Sequence, residues 1–219
     1  MRNSTLAAAA AVALFTAPAA FATPTMETFD LTTSSISGVS GDFGTITLTQ
    51  ASSTEVDVEV QLAMVNGYQA VFAKTGGPHV PVAFDLDSAV SGTAAVSILA
   101  PSGGVFQALA GTVSDTPYGS FTNGVSCPGC GNGTSPPNYS AVTFDVTNAS
   151  GITLADFIQN TNGYYFGADV GVNGKTGSVA SNTVGSQSNP PVGSIPEPAS
   201  MAVLGMALLG LAGARRLRA

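Results

Sequence analysis

Tryptophan is missing from this chain, histidine occurs once and cysteine twice. Carbohydrate-binding surfaces usually present exposed aromatic rings. Without tryptophan, only Tyr68, Tyr118, Tyr139, Tyr164 and Tyr165 could build one. His79 could be a base or a ligand, but its setting beside Gly76-Gly77-Pro78 reads as a loop. No Gly-x-Ser-x-Gly elbow is present, which leaves a triad hydrolase little support. Positive charge is the other scarcity. Between Thr23 and Ile195 stand twelve acidic residues and two basic ones, Lys74 and Lys175, a net of −10. Nucleic-acid phosphates need Lys and Arg, so nucleic acid is excluded as a partner. Charge-driven binding to anionic lipid is excluded on the same ground. An acidic body suits solubility outside a cell.

Charged residues make up 9% of the chain and apolar ones 44%. That balance describes a folded chain rather than a disordered one. It is also unevenly spread. Met1 to Ala22 has one basic residue, Arg2, an apolar run from Leu6 to Phe15, and Pro18 to break it. Ala20-Phe21-Ala22 then supplies an Ala-x-Ala pattern, so a signal peptide over residues 1–22 is expected, cleaved before Thr23. Such a peptide hands the chain to the Sec translocon.

The other end holds the longest apolar run. From Ala199 to Ala214 no residue is charged and only Ser200 is polar. As a helix it has no solvated face and must be buried in protein or lipid. Its length, roughly 24 Å at 1.5 Å per residue, falls short of a hydrocarbon core of about 30 Å. Snorkelling arginines close part of that gap. Arg215, Arg216 and Arg218 follow it and predict a cytoplasmic C-terminus. Ahead of it, Pro196 and Pro198 keep the chain extended, and Glu197 marks the outer boundary because it enters lipid only at high cost.

Pro196-Glu197-Pro198, the apolar run and the arginine-rich end together resemble the PEP-CTERM sorting domain of Gram-negative bacteria. The resemblance covers about the last 25 residues, 195–219. Ile195 departs from the valine more common before the motif. What the resemblance implies is processing by an exosortase, a membrane-embedded cysteine transpeptidase or protease. It also implies an inner-membrane intermediate held by the C-terminal helix, then delivery to the cell surface or extracellular matrix. Association with exopolysaccharide or biofilm is a further implication.

Between these ends the periodicity is two, which predicts half-buried strands. Phe29 and Leu31 alternate with Thr28, Asp30 and Thr32. Ile46 and Leu48 alternate with three threonines. Val56, Val58, Val60, Leu62 and Met64 share one face, with Glu55, Asp57, Glu59 and Gln61 on the other. Asn66-Gly67 predicts a tight turn into a strand over Tyr68 to Lys74, making a hairpin. Val80, Val82, Phe84 and Leu86 form the next face, and Pro81 predicts an edge strand or bulge. Further strands are expected at 94–99, 105–109, 142–146 and 164–170. Thr153 to Gln159 reads as a short helix capped by Thr153 with Asp156. The fold class expected is all-β, a single antiparallel β-sandwich or jelly-roll-like domain over residues 23–178. A Ser/Asn/Gly/Pro-rich linker over 179–194 joins it to the tail.

Four features could carry chemistry. Cys127-Pro128-Gly129-Cys130 sits in a Gly/Asn/Pro-rich loop. A closed disulfide is expected there in an oxidising compartment, with metal ligation and redox work as alternatives. Glu55, Asp57 and Glu59 share a strand face, as do Asp85 and Asp87. A solvated acidic face is the plain reading, Asp85 and Asp87 the Ca²⁺ candidates, and paired glycosidase carboxylates the remaining alternative. No other cofactor or metal site is expected. Gly174-Lys175-Thr176 is set aside as a phosphate loop because Asp169 stands where its first glycine belongs. Asn132, Asn138 and Asn148 begin glycosylation sequons.

The functional expectation is a non-enzymatic structural or adhesive surface protein. A carbohydrate-binding module for the cell's own polysaccharide is the alternative, and a secreted hydrolase stands third.

Overall fold

The structure is a computed structural model and describes residues 25–74, 80–183 and 187–188. The expected signal peptide with Ala20, Ala22 and Thr23 lies outside those residues. So do His79, the sorting motif at 196–198, the apolar run from Ala199 and the terminal arginines. Among the described residues no helix is long and apolar enough to cross a membrane. Residues 24–190 form one unit.

Two large antiparallel sheets and one two-stranded ladder make up its described residues. The first runs, edge to edge, through Gln187–Ser188, Met26–Asp30, Gly44–Ser52, Glu55–Leu62, Ala141–Thr147 and Ala95–Ala100. The second runs through Gln107–Asp115, Gly119–Ser126, Val82–Leu86, Phe166–Val172, Lys175–Ser181 and Thr33–Ser34. The short strands Val71–Phe72 and Phe157–Ile158 join it alongside.

Alternation explains why the sheets stack. On Glu55–Leu62, Val56, Val58 and Val60 are fully buried while Glu59 and Gln61 are exposed. The same rule turns Ile46 and Leu48 inward from one neighbour and Val142, Phe144 and Val146 from the other. The second sheet answers with Val82, Phe84, Val125, Phe166, Ala168, Val170 and Val179. Rings interlock across the gap. Phe29 of the first sheet meets Phe166 of the second at 4.9 Å between centroids, and Phe84 stacks on Phe144 at 5.7 Å. The result is the expected all-β sandwich, with its apolar faces removed from water as the main driving force.

Several local expectations need correction. Met64 is 64% exposed rather than on the buried face. The strand ends at Leu62, and Met64–Val65 starts a new ladder with Tyr68–Gln69 in which Val65 is the buried member. The Asn66-Gly67 turn forms as expected, with φ of 52° and 84°, a left-handed pair that suits a two-residue hairpin. The hairpin arms, however, are only two residues long. The chain then leaves to pair Val71–Phe72 with Phe166–Val172 in the other sheet.

Pro81 does not mark an edge. It precedes Val82–Leu86, where its missing N–H is not needed, and that strand is interior, between Gly119–Ser126 and Phe166–Val172. The helix expected over 153–159 is a single 3-10 turn, Leu154–Asp156. Its cap is the one foreseen, since Thr153 donates through N and Oγ to Asp156 Oδ2 at 2.7 and 2.9 Å. The turn stops because Phe157–Ile158 pairs with Leu86 and Asp85. The α-helix lies instead at Ser88–Ser91.

The linker also begins later than residue 179. Lys175–Ser181 is a strand, and Val179 and Ala180 are fully buried. Gln187–Ser188 then pairs with Glu27 and Met26, beside the start of the first strand. The domain therefore runs past the expected boundary at 178. Serine and glycine hid this strand, because its burial comes from the sheets around it rather than from its own apolar content.

Candidate functional site

The acidic strand row is spread out by its neighbours. Glu59 lies between Thr47 and Thr143, and Asp57 between Thr49 and Asp145. Threonine rows thus flank the acids, and Asp57 opposite Asp145 is the one like-charge pair across these ladders. One oxygen of Asp145, Oδ1, is buried without a hydrogen-bond partner. Among the described residues no three His, Cys, Asp or Glu side chains converge as a metal site would require.

Asp85 and Asp87 have separate structural tasks. Asp85 Oδ1 accepts the backbone N–H of Thr122 in the neighbouring strand. Asp87 caps the Ser88–Ser91 helix, accepting from the backbone N of Ala89 at 2.8 Å. An N-cap carboxylate satisfies an N–H that the helix itself cannot. Gly174 belongs to the Asn173-Gly174 turn between Phe166–Val172 and Lys175–Ser181. Lys175 Nζ donates to Ser37 O at 2.8 Å.

Cys127 and Cys130 form a disulfide. Both are buried, at 4% and 6% exposure, within the main core cluster. Gly129 lies against Val105, and its N–H bonds to Val105 O at 3.1 Å. A buried, bonded pair presents no thiolate for exchange or metal ligation, so its place in the fold is structural.

The tyrosines do not share a surface. Tyr118 is 4% exposed and meets Tyr164 edge-on at 4.9 Å. Tyr139 packs on Phe106, and Tyr165 on Phe29. Tyr68 alone among them is largely exposed, at 50%. Two shallow concavities, of about 400 and 320 Å³, lie beside Tyr139 and beside Glu27. Burial raises the carboxyl of Glu27. Of the sequons, Asn132 and Asn138 are exposed. Asn148 is 2% exposed, and its amide is spent on Val90 O, Thr93 Oγ1 and the N of Ser150. A glycan cannot be attached to that side chain in the folded protein.

Asp115 carries no signal in the sequence pattern. It closes the Gln107–Asp115 strand and is fully buried on the outer side of the second sheet. A Cβ at Gly167 would overlap its carboxyl group, so a glycine is required beneath it. Burial pushes its pKa up to about 7, Asp169 adds to the rise, and a hydrogen bond with Ser178 opposes it. Tyr118 follows it at the hairpin tip, and burial there, with Tyr164 and Asp115 nearby, pushes the phenol up to about 12. An aspartate before Thr-Pro looks like a turn residue, so only tertiary contacts reveal this one.

The decisive match lies at the C-terminal end, where the PEP-CTERM protein-sorting motif aligns with residues 194–216. The chain carries a PEP-CTERM sorting signal. It includes Pro196, Glu197 and Pro198, the apolar run, and Arg215 and Arg216. Comparison with curated proteins and with solved structures returned no match. A PEP-CTERM signal implies processing by an exosortase and an exported protein sorted to the cell surface. The signal describes how the β-sandwich is handled, and the chemistry of the sandwich is a separate matter.

Proposed function

We propose that this protein is a non-enzymatic structural or adhesive component of the cell surface or extracellular matrix of a Gram-negative bacterium. In this reading the Sec translocon exports the chain, and residues 1–22 are removed. The C-terminal helix holds it in the inner membrane until an exosortase acts near Pro196-Glu197-Pro198. The observation that carries the reading is a PEP-CTERM signal behind a domain whose reactive side chains serve the fold. Cys127 and Cys130 are bonded, and Asp85 and Asp87 hold backbone N–H groups.

The tether is short. After Ser188 only residues 189–195 precede the motif. Seven residues span at most about 25 Å when fully extended.

Matrix association is tested by incubating the purified protein with the exopolysaccharide of its own cell. A structural or adhesive component is expected to stay with the insoluble matrix in wild-type cells. Its retention is expected to be unchanged by Tyr68→Ala, because among the described residues no other tyrosine is largely exposed beside it. Loss of retention in that variant would favour a carbohydrate-binding module. Turnover in a screen of glycan and ester substrates would contradict the non-enzymatic reading.

A further inference from the structure

Glu27 breaks the alternation that the rest of the first sheet obeys. It stands two residues before Phe29, so it shares that strand's inward face. In the ladder it lies directly opposite Leu48, which is fully buried. An apolar residue belongs in that row, and an acid there costs desolvation. The raised carboxyl of Glu27 records that cost. Breaks of local pattern of this kind gather at functional sites.

The acid opens into the concavity of about 320 Å³. Leu154, Phe157, Ile158 and Tyr165 give it apolar and aromatic walls, and Gln159 lines it beside them. These walls are set before any ligand arrives. Tyr165 rests on Phe29 at 5.1 Å and Phe157 stacks on Phe84 at 5.7 Å. Gln159 Nε2 donates to Asn182 O at 3.0 Å, which orients the amide and leaves Oε1 as an acceptor. Glu27 and Gln159 thus offer oxygen acceptors, and among the described residues no basic side chain lines the site. An ammonium, with three donors and a positive charge, is the complement of that set. The surroundings agree, since a body of net −10 draws cations in and repels polyanions.

We infer that this concavity binds one amino-sugar unit of an amine-bearing polysaccharide, with the ammonium at Glu27 and Gln159 Oε1. The apolar face of the sugar ring lies against the Tyr165 wall, as sugars do on aromatic side chains. A lysine side chain offers the same ammonium but no ring for that wall. An acidic sugar would set its carboxylate against Glu27. The site is a shallow concavity on the surface, so a polymer can continue on either side of the bound unit. This deepens the adhesive reading above and rests on it, because it names the class of matrix polymer that the domain holds.

The test is calorimetric titration of the chain as the exporting cell processes it, with detergent if the tail is retained. The probes are a tetramer of glucosamine, its fully N-acetylated counterpart and tetralysine. The glucosamine tetramer is expected to bind about tenfold or more tighter than either of the others. Glu27→Gln is expected to weaken it by about tenfold or more with the thermal midpoint retained. Glu59→Gln removes the same charge from the exposed outer face and should change the affinity less than about twofold, which separates the site from diffuse attraction. Ala155→Trp fills the concavity while leaving Glu27 in place, and should also block binding. No binding of the glucosamine tetramer would overturn the inference. So would tetralysine binding as tightly, or a Glu27→Gln loss no larger than that of Glu59→Gln. Matrix retention of the wild type is read in parallel. Retention without amino-sugar binding removes the site and keeps the adhesive reading, whereas amino-sugar binding without retention does the reverse.

Discussion

Phe84→Ala is expected to cost about 3–5 kcal/mol of folding stability, as large-to-small changes at buried aromatic positions do. Phe84 has no exposed surface. Its ring stacks on Phe144 of the opposite sheet at 5.7 Å, on Phe157 at 5.7 Å, and meets Phe166 at 6.2 Å. It is thus the contact through which both sheets and the short Phe157–Ile158 strand share one cluster. Truncation leaves a cavity bounded by three rings, each held by its own strand, so the walls cannot readily collapse. Domains of this kind are stable by only about 5–15 kcal/mol, and such a loss would leave the variant close to unfolding. Urea denaturation is the measurement. Tyr68→Ala, at a 50% exposed site, serves as the reference and should shift stability by no more than about 0.5 kcal/mol. A Phe84→Ala loss no larger than the reference would mean that the two sheets do not pack through this ring.

Asp115 sets the second expectation, a decline in stability as pH rises. Its folded pKa, about 7, lies above the value near 3.9 expected for an unfolded aspartate. The folded chain therefore holds a proton that the unfolded chain has released across the interval between those values. The stabilisation tied to this group is complete below about pH 4 and is lost as pH climbs through 7. Between pH 5 and pH 8 the loss is expected to be about 2–3 kcal/mol, at about 1.4 kcal/mol per unit. Asp115→Asn cannot ionise, so that slope should vanish while other carboxylates continue to act below pH 5. Denaturant midpoints at pH 5 and pH 8 for both proteins decide this. Equal slopes in the two would assign the effect to another group. A stability that rises with pH in the wild type alone would reverse the sign derived from burial.

The two-residue period of Val56, Val58 and Val60 foretold their burial, and the Asn66-Gly67 turn formed where it was expected. Those features are local, since alternation and turn chemistry are written into neighbouring residues. Lys175–Ser181 and Gly119–Ser126 were not legible, because serine, glycine and asparagine reveal no preferred face. Their place follows from partners distant in the chain, such as Ser178 N with Ser35 Oγ at 2.9 Å. Asp85 and Asp87 show the limit of pattern reading from the other side. Paired carboxylates on one face look like a ligand set, yet each is committed to a backbone N–H. Gln50 has no distinguishing pattern in the sequence. Its amide donates to Ser52 O, Glu55 O and Ile152 O and accepts from Leu154 N at 3.1 Å, tying the 3-10 turn to the first sheet. The sorting signal was legible in full, because a proline-bracketed acid, an apolar run and terminal arginines are contiguous in the chain.

The central claim is that the chain is exported and handled through its tail. The direct test compares wild type with Glu197→Ala by cell fractionation and intact mass. Wild-type protein is expected at the surface or in the medium, with a mass lacking the residues beyond the motif. The variant is expected to accumulate in the membrane fraction with its tail intact. Identical fractionation of the two, both still bearing the tail, would contradict exosortase handling.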